Sequence, residues 1–278
     1  MAYHCPICSF ALEQQSNSYR CPQGHQFDIA KEGYVNLLPV QQKKSKDPGD
    51  NQLMTQARRR FLSSGHYDAL RHHVAQQLNR VLSPDASAIL DLGCGEGFYT
   101  QGLHEELSAR ANVPEVYGID ISKVAVRYAA KRYRQCRFSV SSSYHLPFAD
   151  QSLDGVVRIY APSEATELQR VLKANGLLLT VTPAQRHLYQ LREQIYTDVR
   201  LHAAEPELIE GFTLLENNRL SHTMSLSGQE AHDLLLMTPF AWKASDEFKQ
   251  RLVESRTFEC EADFSIALYQ KNATVSDE

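Results

Sequence analysis

At 278 residues the chain is long enough for one full α/β domain and a small accessory unit. Its 42% hydrophobic and 22% charged content fits a soluble globular protein, and no apolar run approaches the ~18 residues that a membrane span needs. The net charge of −4 does not by itself call for a polyanion, but residues 1–65 hold eight Lys/Arg against five acids, leaving the remainder at −7. That asymmetry suits a front end that meets phosphate and equally a solvated charged face.

The opening MAYHCPICSF lacks the basic start and apolar core of a secretory signal, so a cytoplasmic location is expected. Thiols stay reduced there, and six cysteines argue for metal or buried thiols over disulfides. Cys5 and Cys8 stand two residues apart, Cys21 and His25 three apart, each pair with proline after its first cysteine and with Gly24 before His25. Such turns bring thiolates to roughly 2.3 Å and an imidazole to about 2.0–2.1 Å of one ion, the ligand set of a closed structural zinc site. Proline stiffens the turn, and glycine permits the doubling back. His4 is expected at the surface. A unit of about 30 residues cannot bury a sufficient core, and a metal substitutes for one.

A basic connector with Lys43, Lys44 and Lys46 leads to Arg58, Arg59 and Arg60, which cannot all face one way on a helix; one or two are expected to reach phosphate. Residues 68–82 read as a helix. The apolar strand Ala88–Leu92 then runs into Gly93, Gly95 and Gly97 ahead of a further helical segment. Glycines there allow a tight turn and close backbone approach to a ligand at a helix N-terminus. A second strand, VYGIDIS, ends in Asp120, placed for ribose hydroxyls, and the helix KVAVRYAAKRY follows. RFSVSSS, LDGVVRIY and GLLLTVTP read as three more buried strands between helical stretches, implying a mainly parallel, doubly wound sheet.

In the dinucleotide fingerprint the third glycine packs helix on strand, but here it comes one position early, in D-x-G-x-G-x-G led by Asp91. The acid suits a ligand with a cationic amino-acid end, and electrostatics favours S-adenosylmethionine. The stretch SSSYHLPFADQSLDGV resembles the segment lining the adenine pocket of class I methyltransferases. The tail shows two helical stretches, within 228–242 and 246–255, and FECEADFSIALYQ, the candidate for the antiparallel strand that class I methyltransferases insert beside the fifth. The final KNATVSDE is polar and is expected to be disordered. The fold expected is α/β, a class I methyltransferase with a Rossmann-like seven-stranded mixed sheet and a small N-terminal zinc-ribbon-like domain. Its expected divisions are a zinc-binding module (1–36), a basic linker with helices (37–82) and a methyltransferase domain (83–278).

The knuckles, then KEGYVNLLP, DPGD, ARRRFL and the glycine loop, closely resemble the bacterial large-subunit rRNA guanine-N1 methyltransferase family over essentially the whole chain. The resemblance implies methyl transfer from S-adenosylmethionine to guanine N1 in a hairpin of 23S rRNA, zinc on Cys5, Cys8, Cys21 and His25, RNA recognition by the module of residues 1–36, and a homodimer whose zinc modules help form an RNA cleft. It carries cofactor contacts onto Tyr67 in GHY, onto Gly95 and Glu96, and onto His187 in AQRHL. The adenine segment is less constrained at Ser143 and Tyr144.

Guanine N1 carries a proton that must leave as attack proceeds, so a general base is expected near the fourth strand's end. There stands IYAPSE, which lacks the Pro-Pro-aromatic motif of enzymes methylating exocyclic amines. Tyr160 is placed to stack on a flipped base, Pro162 shaping the turn, with core packing as the other reading. His66, His145, His187 and Glu164 are candidate bases. Cys94 reads as a small filler, Cys136 and Cys260 as buried thiols, and Trp242 as a core residue ahead of an RNA-stacking one. The alternatives kept open are a class I methyltransferase acting on a small metabolite and an inactive zinc-ribbon RNA-binding protein.

Overall fold

A computed structural model of the chain describes residues 3–42 and 52–273. Lys43, Lys44, Lys46 and the DPGD stretch lie outside the described residues, as do positions 274–278. The chain begins with a three-stranded antiparallel sheet of β1 (Glu13–Gln15), β2 (Ser18–Arg20) and β3 (Gln26–Asp28). Then come β4 (Val35–Asn36) and the helices α1 (Gln52–Ser63) and α2 (Asp68–Val81). Alternation follows: β5 (Ala88–Leu92), α3 (Phe98–Leu107), β6 (Glu115–Asp120), α4 (Lys123–Arg132), β7 (Arg137–Val140), β8 (Leu153–Ile159), α5 (Ala165–Val171), β9 (Leu172–Pro183) and α6 (Tyr189–Glu193). The chain closes with β10 (Phe212–Leu226), α7 (Gly228–Leu236), α8 (Asp246–Glu254) and β11 (Phe258–Lys271).

The large sheet runs β10-β11-β9-β8-β5-β6-β7-β4. Strands β5 to β11 form the expected seven-stranded mixed sheet, with β11 antiparallel between β9 and β10. The eighth strand comes from the front of the chain: Val35 and Asn36 pair in parallel with Ser139 and Val140 of β7. Every residue of β5 is buried, which a strand of AILDL tolerates only with both sheet faces covered. On one face Ile89, Val157 and Leu179 pack under Leu70, Val74 and Leu78 of α2 and Val126 and Ala129 of α4. On the other, Leu90, Tyr117 and Val156 meet Leu168 and Val171 of α5 together with Tyr3, Tyr19 and Leu37.

The N-terminal module therefore shares its core with the sheet. Tyr3 lies 5.2 Å from the Tyr117 ring, 5.4 Å from Phe148 and 5.7 Å from Tyr19, and the His4 amide donates to Pro147 O at 2.9 Å. Each such aromatic takes roughly 150–250 Å² from water, more than a unit of this size could supply internally. His4, expected at the surface, is half-buried by this docking.

Three further readings change. Strand β10 was not anticipated, because the polar run Glu216 to Arg219 breaks its apolar positions and its middle alternates between half-buried and exposed along an edge strand. Lys271, expected in a disordered tail, ends β11 with its ammonium buried and donating to Leu172 O at 2.8 Å, and the Asn272 amide bonds Gly211 O. Trp242, expected in the core, is 73% exposed in a short 3-10 turn.

The arginine triplet also separates. Arg60 makes a bidentate pair with buried Asp233 of α7 at 2.6 and 2.8 Å, so it docks α1 onto α7 instead of meeting phosphate. Arg59 lies over the Tyr128 ring at 4.8 Å, and Arg58 reaches Met237 O at 3.4 Å.

Candidate functional site

Two constellations stand out, one in the front module and one at the carboxyl ends of β5, β6 and β8. In the first, Cys5, Cys8, Cys21 and His25 offer ligand atoms that all lie within 4.8 Å of one another. Local turns deliver them. The Ser9 amide donates to Cys5 O at 2.8 Å, and the Gly24 amide to Cys21 O at 3.0 Å with Gly24 at φ +85°. The Cys8 Sγ–Cys21 Sγ separation is 3.6 Å, and His25 Nδ1 is 3.6 Å from Cys5 Sγ and 3.4 Å from Cys21 Sγ. A tetrahedron with arms of about 2.3 Å has edges of roughly 3.8 Å, so the donor set fits one zinc ion with no position left for water. His4 stands outside it.

The second constellation is built by the glycine loop. Gly93, Gly95 and Gly97 take φ of +76°, +54° and +81°, the left-handed region that side chains resist. A Cβ on Gly93 would meet Ala161 Cβ at 2.4 Å, whereas one on Gly95 would meet nothing within 4 Å. The loop is thus clamped beneath Gly93 and open above Gly95. Asp120 at the end of β6 fixes the rim, accepting from the Gly95 amide at 3.0 Å and the Ser122 amide at 2.8 Å. Asp91 is buried beneath and accepts from Thr100 Oγ1 at 2.5 Å. Burial pushes its carboxyl up to about 7; the Thr100 bond opposes this and neighbouring Asp120 reinforces it. Glu96 is likewise pushed up to about 7 by burial, against Arg59, Arg58 and Arg132, and its Oε1 is a buried oxygen without a hydrogen-bond partner. Open space over Gly95, an orphaned acceptor and two carboxylates held near neutrality suit a ligand bringing both donors and positive charge, as S-adenosylmethionine does.

Tyr67 caps α2, buried edge-on against Phe61 and Phe264, both at 5.1 Å. His187 is buried 4.9 Å from the same Phe264 ring. The Asp263 amide donates to His187 Nδ1 at 3.2 Å, so in the neutral ring the proton sits on Nε2, which faces Tyr160 Oη at 3.4 Å. Burial holds the imidazole down to about 3, with His202 adding to the effect, so the ring is neutral and as arranged has no free lone pair for a proton. Tyr160, directly after β8, has φ +55° and is 48% exposed, while burial around its hydroxyl raises the phenol's pKa; a strained, half-exposed non-glycine residue at a strand's carboxyl end is where function is expected.

The other candidate bases are not gathered here. His66 stacks on Phe61 and pairs with Glu230 at 3.2 Å, while His145 and Glu164 are exposed on loops with no contact to Tyr160 among the described residues. Tyr144 is exposed, and its amide bonds Ser142 Oγ at 3.1 Å. Cys94, Cys136 and Cys260 are buried thiols; burial pushes the latter two up to about 12. Sequence reasoning missed Asp263, a fully buried carboxylate in β11. Burial alone would raise its pKa, but Arg219 at 2.6 and 2.9 Å and the Arg186 amide at 2.9 Å hold it below the usual range. An acid inside the run ADFSIALY was the available signal.

The comparisons with known proteins agree with this geometry. A family described as "RlmA, N-terminal" matches residues 3–46, and one described as "Methyltransferase domain" matches residues 83–238. A Streptomyces fradiae protein named 23S rRNA (guanine(748)-N(1))-methyltransferase is 32% identical over 257 residues, covering 90% of this chain and 89% of its own. YxjB of Bacillus subtilis (strain 168), whose name assigns it provisionally to 23S rRNA guanine-N(1) methylation, is 32% identical over 279 residues, 97% of each chain. Among solved structures, the YcgJ protein from Bacillus subtilis aligns at TM-score 0.47 and 19% identity over 73% of this chain and 99% of its own. A full-length match at this identity, joined to a four-ligand zinc cluster and a glycine loop at the switch of a seven-stranded sheet, places the chain in the family of 23S rRNA (guanine-N1) methyltransferases.

Proposed function

We propose that this protein transfers the methyl group of S-adenosylmethionine to N1 of a guanine in a hairpin of 23S rRNA. The observation that carries the reading is the union of zinc knuckle and glycine-loop sheet in one chain whose relatives named for that activity match it from end to end. In this reading residues 1–36 recognise RNA, residues 37–82 link, and residues 83–278 carry the transfer. Gly93, Gly95, Gly97 and Glu96 cradle the cofactor, Asp91 answers its positive charge, Asp120 its ribose hydroxyls, and Tyr67 and His187 wall the site. When bound, S-adenosylmethionine supplies an electrophilic methyl on a sulfonium; the chain supplies alignment and a dry setting.

Tyr160 offers a ring for the extruded base, since a base must leave its stack to be modified. Because His187 Nε2–H points at Tyr160 Oη, it orients the phenol and leaves that hydroxyl's own proton free to be donated into the open space. The proton on guanine N1 leaves to a base other than His187. The protein is further taken to act in the cytoplasm as a homodimer; exposed Ile7 and Phe10 on the zinc module support a partner surface there. No helix among the described residues is long and apolar enough to cross a membrane.

Mass spectrometry of 23S rRNA from cells with and without the gene tests the reaction. An N1-methylguanosine that disappears on deletion and returns on complementation is the expected result. An unchanged nucleoside profile would overturn the reading.

A further inference from the structure

Between Ile121 and Ala149 the chain carries six Lys/Arg and neither aspartate nor glutamate, in a protein of net charge −4. Five of them, Lys123, Arg127, Lys131, Arg132 and Arg134, lie on α4 or just beyond it, all exposed. Among the described residues none of the five makes an ion pair; the sixth, Arg137, pairs with Glu115 at 3.3 Å. Lys123, Arg127 and Lys131 recur every fourth position, so they stand above one another at intervals of about 6 Å, and Arg134 extends the row past the helix end. The opposite face, with Ala125, Val126, Ala129 and Ala130, is buried.

Helix stability argues against this pattern. Like charges at i,i+4 repel and destabilise a helix, and Lys123 in the first turn opposes the helix dipole. A merely solvated face would intersperse glutamates at that spacing. The row also connects two things. At one side, Lys31 and Gly33 of the front module line a cleft with Ala130 and Arg134. At the other, Tyr128 lies between Arg127 at 5.7 Å and Arg59 of α1 at 4.8 Å, and Arg59 and Arg132 bear on Glu96 of the glycine loop.

We propose that the outer face of α4 is the track that holds the phosphodiester backbone of the RNA, with Lys123, Arg127, Lys131 and Arg134 on successive phosphates between the zinc module and the cofactor loop. The inference rests on the RNA-substrate reading above. Such contacts carry register and affinity and no base readout, and each releases counterions, so the track has a salt signature.

The test is equilibrium binding of a 23S rRNA transcript across a salt series by the full-length protein carrying Lys123→Gln, Arg127→Gln, Lys131→Gln and Arg134→Gln together. Affinity is expected to fall at least tenfold, and the slope of log affinity against log salt to shrink by about 3, from about 0.7 per lost phosphate contact. Calorimetric affinity for S-adenosylmethionine stays unchanged, and the thermal midpoint stays level or rises as the like charges go. An equal-charge control with Lys243, Lys249, Arg251 and Arg256 changed to Gln keeps the wild-type slope. The double variant Lys123→Gln/Arg127→Gln, with about half the slope change, guards against a folding defect in the quadruple. If the α4 variants keep wild-type affinity and slope, or if the control loses as much, the track is wrong while the RNA reading stands. If the wild-type chain leaves 23S rRNA unbound, the RNA reading falls and the track with it.

Discussion

The zinc module and the cofactor loop solve opposite problems with similar turns. Both double the chain back at positive φ, at Gly24 in one and at Gly93, Gly95 and Gly97 in the other. In the module the turns serve the side chains: four soft donors already converge, and the ion is structural. In the loop the turns serve the backbone: positive φ disfavours a side chain at Gly95, the space above it stays open, and burial raises the nearby carboxylates of Asp91 and Glu96 to about 7 although Thr100 bonds the first and Arg59, Arg58 and Arg132 oppose the shift at the second. One site is finished by its own ligands, the other held ready for a ligand from outside. The lesson is that convergence of donors marks a structural centre, and buried carboxylates raised by desolvation beside open space mark an exchangeable one.

The largest effect expected is from stripping the metal. Structural zinc contributes on the order of 10 kcal/mol in isolated small modules, and here the module covers Tyr117 of β6 and Phe148 of the loop between β7 and β8. A strong chelator should therefore lower the thermal midpoint of the whole chain by roughly 10 °C or more. An unchanged midpoint in zinc-free protein would break the contrast at its first half. For the same reason, truncating the module is a poor probe of RNA binding, since it uncovers the core.

Next is Gly93→Ala. Its Cβ would lie 2.4 Å from Ala161 Cβ at φ +76°, and a loss of roughly 2–4 kcal/mol is expected by denaturant titration, with cofactor binding lost alongside. Gly95→Ala, with open space above it, should weaken the cofactor with a smaller loss of stability, which would separate the clamped from the open glycine.

Asp91 sharpens the second half. Its folded pKa is raised to about 7 from 3.8, so its stabilising protonation is fully present below about pH 4 and is lost as pH rises through about 7. Free protein should thus weaken over that window. Affinity for the cationic cofactor should rise about tenfold between about pH 6 and pH 8, because binding favours the carboxylate. Calorimetry on Asp91→Asn should show both dependences reduced, with Glu96, also raised to about 7, supplying the remainder; dependences unchanged from wild type would assign them elsewhere.

The smallest effect expected is at Tyr160. Tyr160→Gly relieves a left-handed residue and should change stability by about 1 kcal/mol or less. Turnover on 23S rRNA should nevertheless fall at least tenfold with cofactor affinity preserved to about twofold, as expected for a ring that meets the base and not the cofactor. Equal loss of both would make Tyr160 a packing residue.

How much of this was legible beforehand follows the range of the interaction. Strand β5, the loop and β6 were readable because apolar runs and glycines report local backbone needs, and β11 was readable from its long buried run. Strand β10 was not, since Glu216, Asn217, Asn218 and Arg219 interrupt the apolar positions of an edge strand whose buried side chains, Phe212, Met224 and Leu226, lie near its two ends. Which of Arg58, Arg59 and Arg60 faces away from phosphate was not readable, because the carboxylate partner of Arg60 lies 173 residues away.

By itself the sequence determined the cluster of three cysteines and one histidine, the glycine turn and the alternation of strands and helices from β5 to β9, all set by neighbours a few positions apart. Only the tertiary structure decided that the module shares the sheet's core through Tyr3, that His187 is a neutral donor fixed by the Asp263 amide, and that Tyr160 is held left-handed over open space. Turns answer to local sterics and ligand spacing, whereas burial, protonation and strain are properties of the surroundings, which exist only once distant segments have met.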